Sequence, residues 1–224
     1  MTTIQARPRR RTAGLWWLAL SAAAIAVFAP LPYLTDSLHA LAEDDTQLAA
    51  NYADRAVWVR AAFYLHITCG GVVLLLSPVQ LASRVRARIP RLHRAVGRIV
   101  IPLIVLGAAG GLVISWFSLA GPVGTAGFGT LAVLWGSFAV AAFRAIRRGD
   151  VGAHRRWAIR TFALTYAGVT LRLWLGVLIP LQVGVDAETA FTRAYHLVPF
   201  LCWVPNLLVA ERYARASTSQ QAAV

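Results

Sequence analysis

The chain has no lysine, nine acidic residues and a single methionine, so almost all of its charge is of one sign. Its 22 basic residues are all arginine, and the formal charge is +13. Charged residues make up about a quarter of an ordinary soluble domain. Here they make up 14%, against 58% hydrophobic residues. That scarcity excludes a water-soluble globular fold, because too few polar side chains exist to cover a core of this size. Cysteine is nearly absent too. Cys69 and Cys202 both lie within apolar runs, which excludes a disulfide framework of the secreted type and marks them as packing thiols. Also missing are a phosphate-binding glycine loop, a His-Glu-x-x-His zinc site and a Cys-x-x-Cys pair, so no motif names a reaction. The Gly-rich segment 121–129 reads as a short turn between spans.

What is present is a series of long apolar runs. A transmembrane helix needs about 20 mostly apolar residues, and six stretches qualify: 14–34, 58–82, 95–119, 127–146, 157–181 and 193–210. The expected fold is therefore an all-α, polytopic transmembrane bundle of six helices. Its organisation is a basic N-terminal segment (1–13), one transmembrane domain (14–212) and a disordered tail (213–224). Prolines at or within most spans are tolerated where neighbouring helices satisfy the freed backbone groups, and Pro199 with Pro205 predicts a kink in the last span.

The loops are sorted by charge. Arg7, Arg9, Arg10 and Arg11 precede the first span; Arg84 to Arg98 crowd the second connection, Arg144 to Arg160 the fourth, and Arg212 and Arg215 follow the last. Of the nine acids, only Asp150 and Glu211 fall on that side. By the positive-inside rule both termini and the arginine-rich loops are cytoplasmic, in the inner (plasma) membrane. The same sorting makes the arginines an orientation signal and a surface for anionic lipids, and leaves no nucleic-acid-reading face. Ala40-Leu41-Ala42 resembles a signal-peptide cleavage site. It lies too far beyond an apolar run that is itself too long for a signal core.

Two loops repeat a step. Leu92-His93-Arg94 and Ala153-His154-Arg155-Arg156-Trp157 close two helical hairpins at the same face. With Ser77-Pro78-Val79-Gln80, Pro90-Arg91-Leu92-His93-Arg94-Ala95-Val96-Gly97-Arg98, His154-Arg155-Arg156-Trp157-Ala158-Ile159-Arg160, Thr170-Leu171-Arg172 and Trp203-Val204-Pro205-Asn206, the chain resembles the predicted bacterial membrane proteins grouped as domain of unknown function 2306. The resemblance covers residues 63–211 and implies a multi-pass membrane fold without an assigned activity.

Function must then be argued from polar groups that a bilayer makes costly. An ionisable side chain inside a span costs roughly 2.5–3.5 kcal/mol on insertion scales. His66 and His196 both fall in the outer half of the membrane, while His93 and His154 form a second pair at the inner face. Paired imidazoles on facing helices are the usual axial set of haem b. Interhelical hydrogen bonds explain the outer pair equally, and headgroup contact explains the inner pair. Arg172 lies on a small and polar stripe with Thr161, Thr165, Gly168 and Gly176, without an acid at matching depth. It would anchor a haem propionate or an anionic solute, or snorkel to the headgroups. Two function classes remain: a haem b redox protein with His66 and His196 as ligands and Arg172 at a propionate, or a cofactor-free transporter or membrane-organising protein. If the orientation holds, Ser83→Cys is shielded from an impermeant thiol reagent outside the cell and Asp44→Cys is labelled; the opposite pattern inverts it.

Overall fold

The computed structural model describes residues 8–44 and 47–222, with side chains over 13–44 and 47–215, and every element among the described residues is a helix. In chain order these are α1 (Pro8–Phe28), α2 (Leu31–Thr35), α3 (Leu38–Glu43), α4 (Gln47–Ala53), α5 (Val57–Leu81), α6 (Ser83–Arg88), α7 (Pro90–Ser115), α8 (Gly121–Arg147), α9 (Val151–Thr165), α10 (Ala167–Leu178), α11 (Ala187–Leu201) and α12 (Val204–Ala222). Five stretches among the described residues are long and apolar enough to cross a membrane: Ala13–Thr35, Val57–Leu81, Pro90–Ser115, Gly121–Arg147 and Val151–Leu178. The arginine-rich connections α5–α7 and α8–α9 lie at one end of the bundle, the arginine face. Helices α2, α3 and α4 lie at the other, the cap face.

The sixth expected span, 193–210, is not one helix. It divides between α11 and α12 at Cys202 and Trp203, because Pro205 has no N–H to continue the ladder. The exposed carbonyl of Cys202 is taken up by the Thr170 hydroxyl at 2.5 Å and the Asn206 amide at 3.1 Å. Asn206 also donates to Ala163 O and Thr170 Oγ1, tying α12 to α9 and α10. This is how a broken helix remains tolerable inside hydrocarbon. Past the membrane α12 runs on to Ala222, so a helix occupies most of the segment expected to be a disordered tail. Alanines and glutamines with no proline or glycine favour that extension. Residues 1–7 and 223–224 lie outside the described residues.

The segment 121–129 is the other difference. It opens α8 instead of forming a turn, and its glycines are there for packing. A Cβ on Gly127 would lie 2.5 Å from Pro199 Cβ and 2.8 Å from its carbonyl oxygen, so α11 crosses α8 at backbone contact. The true reversals fall elsewhere. Gly149 adopts φ 76° after α8, a left-handed conformation that glycine takes without Cβ strain. Asp150 then caps α9 through Ala153 N at 2.8 Å.

Helix α7 is the middle of the bundle, packed between α5 and α8. At Gly107 a Cβ would meet Cys69 Cβ at 3.1 Å on one side and the Trp135 ring at 3.2 Å on the other. The main core runs from Val96, Val100 and Ile104 through Trp135 and Leu164 to Cys202 and Trp203. Trp135 Nε1 donates to Thr165 Oγ1 at 2.9 Å, which satisfies the indole in an otherwise apolar layer. Both cysteines are free and buried, as expected of packing thiols.

At the cap face, α3 and α4 bury Leu38, Ala49 and Tyr52 against Val59 and Phe63 of α5. Asn51 donates to Phe117 O at 2.7 Å and Tyr52 to Ile114 O at 3.1 Å. Ile114 lies in the last turn of α7 and Phe117 just past its end, so the cap both covers α5 and braces the end of α7.

The glycines of α7 make backbone contacts of the same kind with α5. A Cβ on Gly110 would lie 2.7 Å from Ala62 O and 3.2 Å from His66 N, both backbone atoms of α5. Gly110→Ala is therefore expected to force the helices apart and cost about 1–3 kcal/mol, read as a lower Tm in detergent. Gly70→Ala, where a Cβ meets nothing within 4 Å, should leave Tm unchanged or raise it.

Candidate functional site

His66 sits nine residues into α5 from the cap end, a depth of about 13 Å at 1.5 Å per residue. It is held there by the glycine face of α7. A Cβ on Gly111 would come within 2.8 Å of His66 Nδ1, so only glycine leaves room for the ring. Nδ1 lies 2.8 Å from Gly107 O. A carbonyl only accepts, so Nδ1 carries the hydrogen and Nε2 keeps the lone pair. The edge of the Trp135 ring, with centroids 6.4 Å apart, closes another side.

Arg172 lies on α10, and its guanidinium makes one hydrogen bond to protein, to Gly168 O at 3.2 Å. No acid pairs with it among the described residues. Its charge acts instead on groups from four other places in the fold: Tyr33 of α2, His66 of α5, Tyr195 of α11 and Cys202 just beyond α11. Yet the side chain is solvent-accessible. The guanidinium side of α10 is therefore not covered by a neighbouring helix. A Cβ on Gly168 or Gly176, one turn either side of Arg172, would meet nothing within 4 Å; nor would one on Gly70, one turn from His66. Packing agrees, since α10 rests on α9, α11 and α1, not along α5.

Around Arg172 the fold thus brings an imidazole and two phenol groups, Tyr33 and Tyr195, within reach of its charge. The tyrosines were not legible in the sequence. Tyr33 follows the Pro30 kink and Tyr195 sits among aromatic neighbours, and neither position follows a pattern that separates lining from packing.

His196 is placed differently from expectation. It lies on the exposed side of α11, opposite the buried Ala190, Ala194 and Val198, with Nδ1 2.8 Å from Thr192 O of its own helix. Neither hydrogen bond nor ring contact joins it to His66. The reason is register: Ala194 and Val198 take the packed face, and a position two residues from Ala194 points away from it.

At the arginine face the charge of His154 bears on His93. His154 Nδ1 lies 2.9 Å from Ala142 O, while His93 Nδ1 is buried with no partner. Beside them Arg160 grips Glu211 in a bidentate pair, 2.5 and 2.9 Å, with its guanidinium 4.6 Å from the Trp157 ring centroid. That hydrogen-bonded pair holds the Glu211 carboxyl below the usual carboxylate range and fastens α12 to α9. No group of three metal-ligating side chains occurs among the described residues.

The family model described as predicted membrane protein (DUF2306) matches residues 63–214. The chain belongs to the DUF2306 family. The DUF2306 region begins at Phe63 and contains His66, His93, His154, Arg172 and His196, whereas α1 and the cap helices with Tyr33 precede it. No curated protein and no solved structure matches the chain.

The uncovered side of α10 has a direct chemical readout. Arg172→Cys should react readily with a small water-soluble thiol reagent in detergent, while the buried Cys69 and Cys202 of the same molecule stay unmodified. An unreactive Arg172→Cys in a folded protein would mean that this side is covered.

Proposed function

We propose that this membrane protein binds a small organic anion in a crevice of its cap-side half, with Arg172 as the anion-holding group, and that it carries or senses that solute across the bilayer. The observation that supports this is the isolation of Arg172. A guanidinium has five N–H donors in a planar fork matched to carboxylate and phosphate. Only one protein acceptor engages it, and no acid neutralises it among the described residues. A charge at this depth costs several kcal/mol unless something compensates it. A carboxylate or phosphate would do so through charge-assisted hydrogen bonds. His66 Nε2 would accept a hydrogen from a ligand hydroxyl, and Tyr33 and Tyr195 would donate to its remaining oxygens. The arginine face is read as cytoplasmic, where it attracts anionic lipids, and the crevice opens toward the outside.

A second reading rests on the other face. The buried, unpartnered Nδ1 of His93 beside His154, whose own Nδ1 is fixed by Ala142 O, leaves two imidazoles available to a planar cofactor. Haem b with its propionates on the surrounding arginines fits that chemistry. The His66 site fits a single axial ligand, because the crowding glycines seat the imidazole itself and His196 points away.

The readings separate by measurement. Purified protein titrated with acetate, succinate, lactate and inorganic phosphate should show a saturable rise in Tm with one of them. At 100-fold over Kd the stabilisation is about 2.7 kcal/mol, or roughly 5–10 °C for a chain of this size. Arg172→Leu should abolish the shift while the protein still folds, and Arg172→Lys should weaken it by losing the fork. A shift that survives Arg172→Leu removes the anion reading. A Soret band lost in His93→Ala would establish the haem reading instead.

A further inference from the structure

We propose that the groove between α7 and α8 holds one acyl chain of an anionic glycerophospholipid, whose phosphate lies against Arg144 and Arg148. The groove has a volume of about 650 Å³ and runs along Ala109, Leu112, Val133, Gly136, Val140 and Ala141. Arg144, Arg148 and Trp157 line its end at the arginine face. A smaller hollow of about 350 Å³ continues it toward the cap, sharing Leu112 and Val133. The site lies apart from the Arg172 crevice and does not depend on it.

Three features point to a lipid of one leaflet. Val133 to Arg148 spans fifteen residues of helix, about 22 Å, enough for half of a hydrocarbon core about 30 Å thick plus the headgroup layer. The walls are apolar until the last turn. There the side chains of Arg144 and Arg148, four apart and so on one face, make no hydrogen bond or ion pair with protein among the described residues. Trp157 stands beside them, as aromatic side chains do at a membrane interface. An apolar trough ending in two unpartnered cations is complementary to an acyl chain carrying a phosphate.

A second copy of the chain fits less well. Closed dimers pair the same patch on both subunits, and in a membrane the twofold axis runs along the bilayer normal. Arg144 and Arg148 of one copy would then meet the same arginines of the other, a like-charge contact beside which the one nearby acid, Asp150, is already engaged as the cap of α9.

The test is native mass spectrometry of the purified full-length chain in mixed micelles with phosphatidylglycerol or phosphatidylcholine. A single-lipid adduct should form and favour phosphatidylglycerol by roughly 30-fold, which at 1.4 kcal/mol per tenfold is about 2 kcal/mol, or about 1 per arginine. Arg144→Gln with Arg148→Gln should bring phosphatidylglycerol down to the phosphatidylcholine level. Ala109→Phe, or Ser137→Leu on the opposite wall should the first not fold, should weaken both lipids by filling the trough. Arg147→Gln, outside the groove lining, should change neither. The proposal is overturned if the double variant binds phosphatidylglycerol like the wild type, if Arg147→Gln lowers it as much, or if the folded trough variants bind both lipids undiminished. A delipidated dimer that Ala109→Phe dissociates would likewise overturn it in favour of a second copy.

Discussion

The contact of α5 with α7 at Gly107, Gly110 and Gly111 sets the geometry of the bundle. A Cβ on Gly110 would clash with Ala62 O, one on Gly111 with the His66 ring, and one on Gly107 would crowd Cys69 and Trp135, so the two backbones approach closely. From that approach follow the seat of His66, its Nδ1 bond to Gly107 O, and the reach of the cap helices to the last carbonyls of α7. In lipid no hydrophobic force draws helices together, so close van der Waals contact and interhelical hydrogen bonds carry the association. The glycine face supplies both at once.

The same accounting explains the less regular half of the molecule. Every backbone group in hydrocarbon needs a partner, and the α11–α12 break would leave the Cys202 carbonyl without a ladder partner. Thr170 and Asn206 provide one, and in doing so they bind three helices at one point. Thr161 and Thr165 turn their hydroxyls onto the preceding carbonyls of α9, just before the chain passes through Tyr166 into α10. Short polar side chains thus supply added hydrogen bonds at the α9–α10 and α11–α12 junctions.

Charge is distributed on two scales. The arginines of the connecting loops act together at one face, and the loss of any single one changes the surface field little. Arg172 has no acidic partner among the described residues, and the groups its charge reaches are phenols, a thiol and an imidazole. The groove arginines Arg144 and Arg148 belong to the first group by position and differ only by ending an apolar trough. Location against a cavity, more than charge itself, separates a site from an orientation signal.

Hydropathy and charge order were enough to read the polytopic helical fold, because a bilayer imposes length and polarity on each span directly. The first five spans and the packing role of the Gly107–Gly111 stripe were legible for that reason; Arg172, expected to face the bundle interior, has an exposed side chain. What depends on rotation about a helix axis was not. His66 and His196 have the same depth in the sequence, yet only the packing of Ala194 and Val198 decides that His196 faces away from the bundle. The glycines of 121–129 look like a turn until Pro199 is seen against Gly127. Tyr33 and Tyr195 come within reach of the Arg172 charge only because separate segments converge there, a relation between distant residues that periodicity along one chain does not encode.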